Sequence, residues 1–186
     1  MNQPLATSDI QRSITAATRP ADRLILALAA VHAARVSAIR ALRLTDLDLG
    51  DRRLTIAGRT RPLDELTYQT LVEWLNYRRV QWPATANPHV IINRKTALTT
   101  APTSRPWIAT AFHGQIATLE RLRRDRQLEE ALTHGPDPLH LAVVFGLAPK
   151  TAIRYAESAR QLLTAEMKGA PQIGRRIRSR PRSRAR

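Results

Sequence analysis

A short block of alternating residues, with helical patterns on both sides of it, limits the folds open to this chain. Between residues 47 and 56, apolar and polar residues alternate around a Gly-Asp turn, and a second turn signal follows at residues 57–60. Alternation with period two predicts strands, so the block predicts a hairpin extended by a short strand around Leu63. The order of helices, small meander and helices predicts a mostly helical α+β domain with one core.

Helical periodicity accounts for most of the remaining chain. An apolar stripe between Leu24 and Val31 predicts a helix that starts near Arg23, with Asp22 as its cap. Five further segments have helical patterns, and one apolar run predicts a short strand. The helices are expected at residues 37–42, 66–79, 107–132 (split near Gly114), 139–145 and 150–166, and the strand at residues 90–92.

The charge balance points to a polyanionic partner. The net charge is +15, and it arises from 27 arginines and three lysines against 15 acidic residues. Nucleic acid is the commonest partner of such a protein, although a solubilising charge or a codon bias towards arginine would also give this composition. Eight of the positive charges lie in residues 168–186. We expect a lead at residues 1–20, a domain at 21–167 and a disordered arginine-rich tail at 168–186.

Several classes of protein are excluded. The absence of cysteine rules out disulfides, thiolate zinc sites and cysteine nucleophiles. The longest apolar run, residues 24–30, is too short to span a bilayer, and residues 1–20 do not resemble a secretory signal. The five histidines show no metal-ligand spacing, and neither a glycine-rich phosphate loop nor a G-x-S-x-G motif is present. A cytoplasmic protein is expected.

Arg35 lies on the apolar stripe of the first predicted helix. A desolvated guanidinium needs an anionic partner. Either Asp46 or Asp48 pairs with it, or it faces a cleft that takes a phosphate. The stripe alone favours the structural ion pair, because buried charges are rarely left unpaired.

Residues 139–163 have the pattern of a helix-turn-helix, with Gly146 in the turn and polar residues at the start of the second helix. An ordinary pair of packed helices also fits this pattern. Tyr155 lies beside the apolar stripe of the second helix. Its own context predicts a tyrosine at the core edge with a hydrogen-bonded hydroxyl.

Taken together, these segments resemble the catalytic domain of the tyrosine recombinases, or phage-type integrases. Residues 33–49 resemble the segment around the first catalytic arginine of the family, which corresponds to Arg35. Residues 54–63 resemble its small sheet, whose turn usually presents a catalytic lysine and here contains Arg59 and Arg61. Residues 90–96 resemble the strand that precedes the central helices of the family.

The C-terminal half has weaker matches and clear departures. Arg124 precedes Gly135 and Gly146 at spacings that suit the arginine of the His-x-x-Arg motif, and Arg121 stands in place of its histidine. Residues 151–156 resemble the segment of the nucleophilic tyrosine, which corresponds to Tyr155, although the final spacing is one residue short. Further departures are Ala38 for an acidic residue and Leu147 for the late histidine or tryptophan. The separate N-terminal core-binding domain of the family is not expected here.

The resemblance implies DNA strand cleavage and rejoining through a phosphotyrosyl intermediate, with neither cofactor nor metal. In this interpretation Tyr155 is the nucleophile, Arg35 and Arg124 hold the phosphate, and Arg59 replaces the lysine. The partner is double-stranded DNA, on which the protein could act as a homo-oligomer. The departures predict weak or lost activity. The residues expected to bind DNA are Arg61, Arg121, Arg123, Lys150 and Arg154.

Two alternatives remain open at this point. The chain could be a non-catalytic helix-turn-helix regulator that reads bases with residues 150–160. A basic structural or RNA-binding protein is less favoured, because three Trp, three Tyr and two Phe provide little surface for base stacking.

Overall fold

The computed structural model describes residues 12, 14, 17–112 and 119–169. Over these residues it confirms the predicted α+β class, with most of the chain helical and a small antiparallel sheet near the middle. Short 3₁₀ turns lie at 44–46, 96–98 and 110–112. The elements are α1 (Pro20–Ala30), α2 (Val36–Ala41), β1 (Leu47–Asp48), β2 (Arg53–Ile56), β3 (Arg59–Pro62), α3 (Glu65–Gln81), α4 (Arg105–Ala109), α5 (Leu119–Thr133), α6 (Pro138–Phe145) and α7 (Pro149–Gly169).

The sheet is the predicted meander. Its strands follow the order β1-β2-β3 and are antiparallel. Ala57 and Gly58, both with positive φ, form the two-residue connection between β2 and β3, which suits the twist of a hairpin. Leu54 lies opposite Arg61 and Ile56 opposite Arg59. Side chains of opposed residues share a face of the sheet, so both arginines lie on the face that carries the buried Leu54 and Ile56.

Helix α1 is buried on two sides, because it lies between two apolar clusters. Leu24, Ile25 and Leu28 pack in the main core with the sheet and α3. Leu26 and Ala30 pack with Leu122 of α5 in a second cluster. The sequence predicted one apolar stripe, so the second buried face went unpredicted.

The predicted start of α1 is wrong by one turn. The helix begins at Pro20, after Arg19 in the N-cap position, since proline is well tolerated where no intrahelical N–H is needed. Asp22 lies within the first turn, where its carboxylate pairs with Arg19 at 2.6 Å.

The strand predicted at residues 90–92 is also wrong. Val90, Ile91 and Ile92 are fully buried but form no ladder, and the nearest sheet-like contact is an isolated bridge between Arg43 and His89. The buried polar groups of Val90 are satisfied in another way. Its N–H donates to Leu42 O at 2.8 Å, and its carbonyl accepts from Trp74 Nε1 at 2.8 Å.

The helix predicted at residues 107–132 is two helices, α4 and α5, and Gly114 lies outside the described residues. The predicted helix pair at the end is present as α6 and α7. Gly146 ends α6 in the left-handed conformation, with φ of 63°. These helices share a small cluster with α5, built from Leu141, Leu147 and four alanines at positions 131, 152, 156 and 159.

Most of the predicted lead and tail, residues 1–11 and 170–186, lies outside the described residues. Within the part of the chain that the structure describes, no helix combines the length and the apolar character needed to cross a membrane.

Candidate active site

Arg35 and Tyr155 line the same cavity. Its volume is about 410 Å³, and Arg105, Arg123 and Arg154 also line it. Of the described residues that form its wall, none is acidic. We call this space the arginine cavity. Four guanidinium groups around one tyrosine make it suited to an anion, and a phosphate in particular.

The position of Arg35 is set by the turn after α1. Its backbone occupies the N-cap position of α2, and its carbonyl accepts from Ile39 N at 2.9 Å. The side chain is exposed, and the structure records no ion pair between it and the two aspartates proposed from sequence. Asp46 instead accepts from Arg43 N at 2.8 Å, and Asp48 accepts from Asp51 N at 2.9 Å. The interpretation of Arg35 as a buried ion pair is therefore wrong.

Arg123 approaches the same cavity from α5. Its side chain is buried, and its Nε donates to Ala33 O at 2.9 Å. Ala33 belongs to the turn just before Arg35, where its φ is 51°. This hydrogen bond joins α5 to the segment that carries Arg35 and brings the two arginines to one wall.

Arg124, predicted from the glycine spacing, lies elsewhere. It lines a groove of about 200 Å³ between α5 and α7, together with Arg121 and Tyr155. Arg124 does not line the arginine cavity, and Arg35 does not line this groove. Successive residues of a helix point about 100° apart, so a shift of one position decides which of the two arginines meets Arg35.

Tyr155 borders both spaces. It is half-buried on α7 and lines both the groove and the arginine cavity. The Cζ atom of Arg154 lies 5.7 Å from the centre of the tyrosine ring, within the range of a cation–π contact. The ring packs at the edge of the cluster shared by α5, α6 and α7. The prediction of a core-edge tyrosine from its own context agrees with this placement.

Arg105 is a cavity residue that the sequence interpretation missed, because the predicted helix begins at residue 107, two residues after it. It is the first residue of α4, whose N-cap is Ser104; the serine Oγ accepts from Trp107 N at 3.3 Å. Serine followed by a proline near the helix start is a recognised start signal and could have placed Arg105 at a helix N-terminus.

Arg59 and Arg61 line a second space, the hairpin cavity, with Arg35, His32 and Gly146. Its volume is about 610 Å³. Gly146 permits a close approach here, because a Cβ at this position would lie 3.2 Å from Arg59 Cζ.

Both hairpin arginines are bound to the end of α6. Arg59 donates to the carbonyls of Ala142 and Val143, and Arg61 donates to that of Val144. The last carbonyls of a helix lack intrahelical partners and carry partial negative charge, so two guanidinium groups cap them well. Burial, followed by the charge of Arg59, lowers the pKa of Arg61. The hairpin is thereby attached to the helix pair that carries Tyr155.

Among known proteins, this chain is similar in fold to several solved structures. No family profile matches the sequence, and no curated protein does. The XerA recombinase matches with a TM-score of 0.68 at 18% identity, over 92% of this chain and 67% of that one. The XerH site-specific recombinase bound to its palindromic difH substrate matches with a TM-score of 0.67 at 16% identity, over 90% of this chain and 53% of that one. The chain has the fold of a tyrosine recombinase catalytic domain.

Integrases show the same recombinase fold. The integrase from mycobacterium phage Brujita matches with a TM-score of 0.55 at 20% identity, over 87% of this chain and 58% of that one. A lambda integrase dimer bound to a COC′ core site gives a TM-score of 0.56 at 16% identity, over 83% of this chain and 47% of that one. The chain thus spans about half to two thirds of these proteins, and the fold expected from the resemblance is confirmed.

Within this recombinase fold, the other residues predicted to bind DNA have distinct surroundings. Arg154 is exposed beside the arginine cavity, and Lys150 is exposed on the first turn of α7. Arg121 lies 3.7 Å from the buried Asp125 of its own helix. Arg61 is held by α6, as described above.

His32 and Asp64 join the hairpin cavity to α3. His32 Nε2 lies 3.3 Å from Asp64 Oδ2, and the same carboxylate caps α3 by accepting from Thr67 N at 2.9 Å. Burial opposes ionisation, but the contact with His32 and the hydrogen bonds from Thr67 outweigh it and hold the pKa of Asp64 well below its ordinary value. Among the described residues, no group of three His, Asp or Glu side chains is arranged to hold a metal ion.

The lowered pKa of Asp64 predicts acid sensitivity. A carboxyl whose pKa is lower in the folded than in the unfolded state contributes stability above about pH 4, and this contribution is lost as the pH falls. The stability of Asp64→Asn should therefore depend less on pH in the acid range than that of the parent. Urea unfolding between neutral and acid pH measures this, with the exposed Asp51→Asn as control. If the free energy of unfolding falls equally with decreasing pH for Asp64→Asn and Asp51→Asn, the lowered pKa of Asp64 is contradicted.

Glu130 joins α5 to α6. Its buried carboxylate lies 3.0 Å from Arg126 Nη2 and 3.1 Å from both His134 Nδ1 and His140 Nε2. Burial would raise the pKa of this carboxyl, but the contacts with His140, Arg126 and His134 hold it below its ordinary value. Arg126 Nε also donates to Val31 O at 3.3 Å, so the cluster connects α5 to the end of α1.

Proposed function

We propose that this chain binds duplex DNA in the arginine cavity and cleaves one strand by attack of Tyr155 on a phosphodiester. The observation that carries the proposal is that Arg35, Arg123 and Tyr155 line one cavity. The fold supports it, since proteins of the same fold have been solved in complex with DNA. A cytoplasmic location and assembly of several copies on DNA belong to the same proposal.

The chemistry needs few groups. The Tyr155 hydroxyl loses its proton to solvent as its oxygen bonds to phosphorus. The bond from phosphorus to one sugar oxygen breaks, and that oxygen takes up a proton from solvent to leave as a hydroxyl. The new phosphotyrosyl bond conserves the energy of the phosphodiester, so the freed hydroxyl can rejoin the strand without a nucleotide cofactor. Arg35 and Arg123 are the groups that hold the non-bridging oxygens and stabilise the charge that develops on them. Arg123 takes the role that the sequence spacing gave to Arg124.

Proton transfer is the weak part of this site. Arg59 stands where the lysine of the family is expected, but it donates to α6 carbonyls, and a guanidinium is a poor proton donor. Arg121 and Leu147 occupy the positions of two further proton-handling groups. General acid–base assistance is commonly a factor of about 10²–10⁴ in rate, so we expect slow cleavage and still slower rejoining.

Arg35→Ala should weaken DNA binding without unfolding the protein. The lost charged contact with a phosphate corresponds to about 1.5–3 kcal/mol, or roughly 10–150-fold in affinity. Because the side chain is exposed, thermal stability should hardly change. Fluorescence anisotropy with a labelled duplex measures the affinity. Arg79→Ala, which removes an exposed arginine of α3, is the matched control. A loss of stability at unchanged affinity would give Arg35 a structural role instead.

Salt should weaken duplex binding steeply, because arginine–phosphate contacts release counterions. Deleting residues 169–186, which carry seven arginines, should reduce the slope of log affinity against log salt while the folded domain persists. The measurement is anisotropy at several salt concentrations, with circular dichroism as the control for folding. Salt-independent affinity of the full chain would contradict a phosphate-binding protein.

A second function, DNA binding without cleavage, has one specific observation in its favour. Lys150, Ile153 and Arg154 are exposed on the first turns of α7, the second helix of the helix pair. A regulator of this kind would read bases with these residues. In that case Lys150→Ala would change sequence preference, whereas Arg35→Ala would have no more effect than Arg79→Ala.

A further inference from the structure

All three tryptophans of the chain line a single cavity that shares no residue with the arginine cavity. Its volume is about 360 Å³, and Trp74, Trp82, Trp107 and Tyr77 form much of its wall. The low aromatic content of the sequence counted against base stacking, but four of its eight aromatic residues meet here. We call this space the tryptophan cavity.

The aromatic wall is already assembled. Trp74 and Tyr77, three residues apart on α3, stack with ring centres 5.8 Å apart. Trp82, which follows α3, meets both rings edge-on at 6.2 Å and 6.1 Å. Trp74 is buried and part of the core, whereas Tyr77 is 43% exposed. The wall therefore combines a rigid base with an accessible ring, and a ligand would not have to order it.

Arg19 adds a fixed cation to this wall. Its guanidinium binds Asp22 at 2.6 Å and 2.9 Å and donates to Thr110 Oγ1 at 2.8 Å. It lies over the ring of Trp107, with Cζ 5.3 Å from the ring centre. Arginine and tryptophan planes in this arrangement form a preformed stacking surface.

Arg94 supplies a cation without a fixed partner. Within the described residues, the structure records no ion pair or hydrogen bond for its exposed guanidinium, and no acidic residue lines the cavity. Its backbone is held by Asn93, whose Oδ1 accepts from the N–H groups of Lys95 and Thr96 at 3.0 Å each. A rigid turn thus presents a positive charge at the edge of an aromatic wall.

We propose that the tryptophan cavity is a second nucleic-acid site, which takes an unpaired nucleotide. The base stacks against the aromatic wall, and the phosphate pairs with Arg94. A purely apolar ligand would leave the charge of Arg94 unused. Bases of intact duplex are not available to such a wall, because extruding one breaks its stacking and pairing. A volume of about 360 Å³ is at the small end for ligand pockets, which suits one nucleotide.

The position of the tryptophans makes the test direct, because the intrinsic fluorescence of the protein reports on this cavity alone. A six-nucleotide oligodeoxyadenylate should quench the emission with saturation, and a blunt-ended hairpin duplex with a closed loop of non-nucleotide linker should not. Arg94→Ala should weaken the quenching constant about tenfold, a typical loss for a charged hydrogen bond. Tyr77→Ala should weaken it as well, and it keeps all three tryptophans. Arg79→Ala, on the same helix as Tyr77, should have no effect.

Two further arms separate the possibilities. The first titrates deoxyadenosine monophosphate, to show whether a free nucleotide is enough to quench the emission. If it binds as tightly as the oligonucleotide, the ligand of the cavity is a free nucleotide, bound through the same contacts to base and phosphate. Arg35→Ala should leave quenching intact, so this site can fail or hold independently of the strand-cleavage proposal. The proposal is overturned if the oligonucleotide does not quench, if duplex quenches equally, or if Arg94→Ala behaves like Arg79→Ala.

Discussion

Replacing Glu130 by alanine is expected to destabilise the domain by about 3 kcal/mol, near the lower end of the range for breaking a buried ion pair. The carboxylate is 9% exposed and contacts Arg126, His134 and His140, so its removal leaves several polar groups without their anion. The expected loss of stability lies near the lower end of this range because Arg126 is partly exposed and can be hydrated. For a domain of this size the melting temperature should fall by roughly 6–12 °C.

Glu129→Ala is the matched control for this variant. Glu129 is adjacent on α5, is exposed and lies 3.6 Å from the same Arg126. An exposed pair of this kind is worth about 0–1 kcal/mol, so the melting temperature of the control should hardly change. Equal decreases in melting temperature for Glu130→Ala and Glu129→Ala in calorimetry would contradict the conclusion that the buried cluster stabilises the packing of α5 against α6.

The parts of the fold that follow from local patterns were predictable. Alternation and turn residues predicted the meander, and apolar periodicity predicted α1, α3 and the final helix pair. The prediction of a strand at residues 90–92 failed because an apolar run has the same appearance in a strand and in an extended buried chain. Its partners, Leu42 and Trp74, are distant in sequence, and only tertiary packing brings them together.

Part of the arginine cavity could be predicted from the sequence. The resemblance identified Arg35 and Tyr155, which both line it; spacing to the glycines pointed to Arg124, whereas the α5 arginine that lines this cavity is Arg123. Counting along the chain cannot resolve a shift of one residue, whereas the face of α5 is fixed by packing against α1 and by the Arg123–Ala33 hydrogen bond. No local pattern could indicate that Arg59 and Arg61 bind the end of α6, since the hairpin and that helix are more than 75 residues apart.

Under the proposed function, Tyr155→Phe is expected to abolish covalent attachment to DNA altogether, because the proposal makes the phenolic oxygen the atom that bonds to phosphorus. The ring remains to pack at the edge of the cluster of α5, α6 and α7, so stability and duplex affinity should change little. Tyr68→Phe is the matched control; that residue lies on α3 and lines none of the three spaces around Tyr155 and the hairpin.

The measurement that tests the proposed function most directly is trapping on nicked suicide duplexes of pooled sequence, from which the cleaved end diffuses away so that the adduct accumulates. Denaturing gels followed by peptide mapping should show a slowly formed adduct on Tyr155, absent in Tyr155→Phe and retained in Tyr68→Phe. An adduct on Tyr68 or Tyr77, or no adduct while specific duplex binding persists, would contradict the assignment of Tyr155 as the nucleophile.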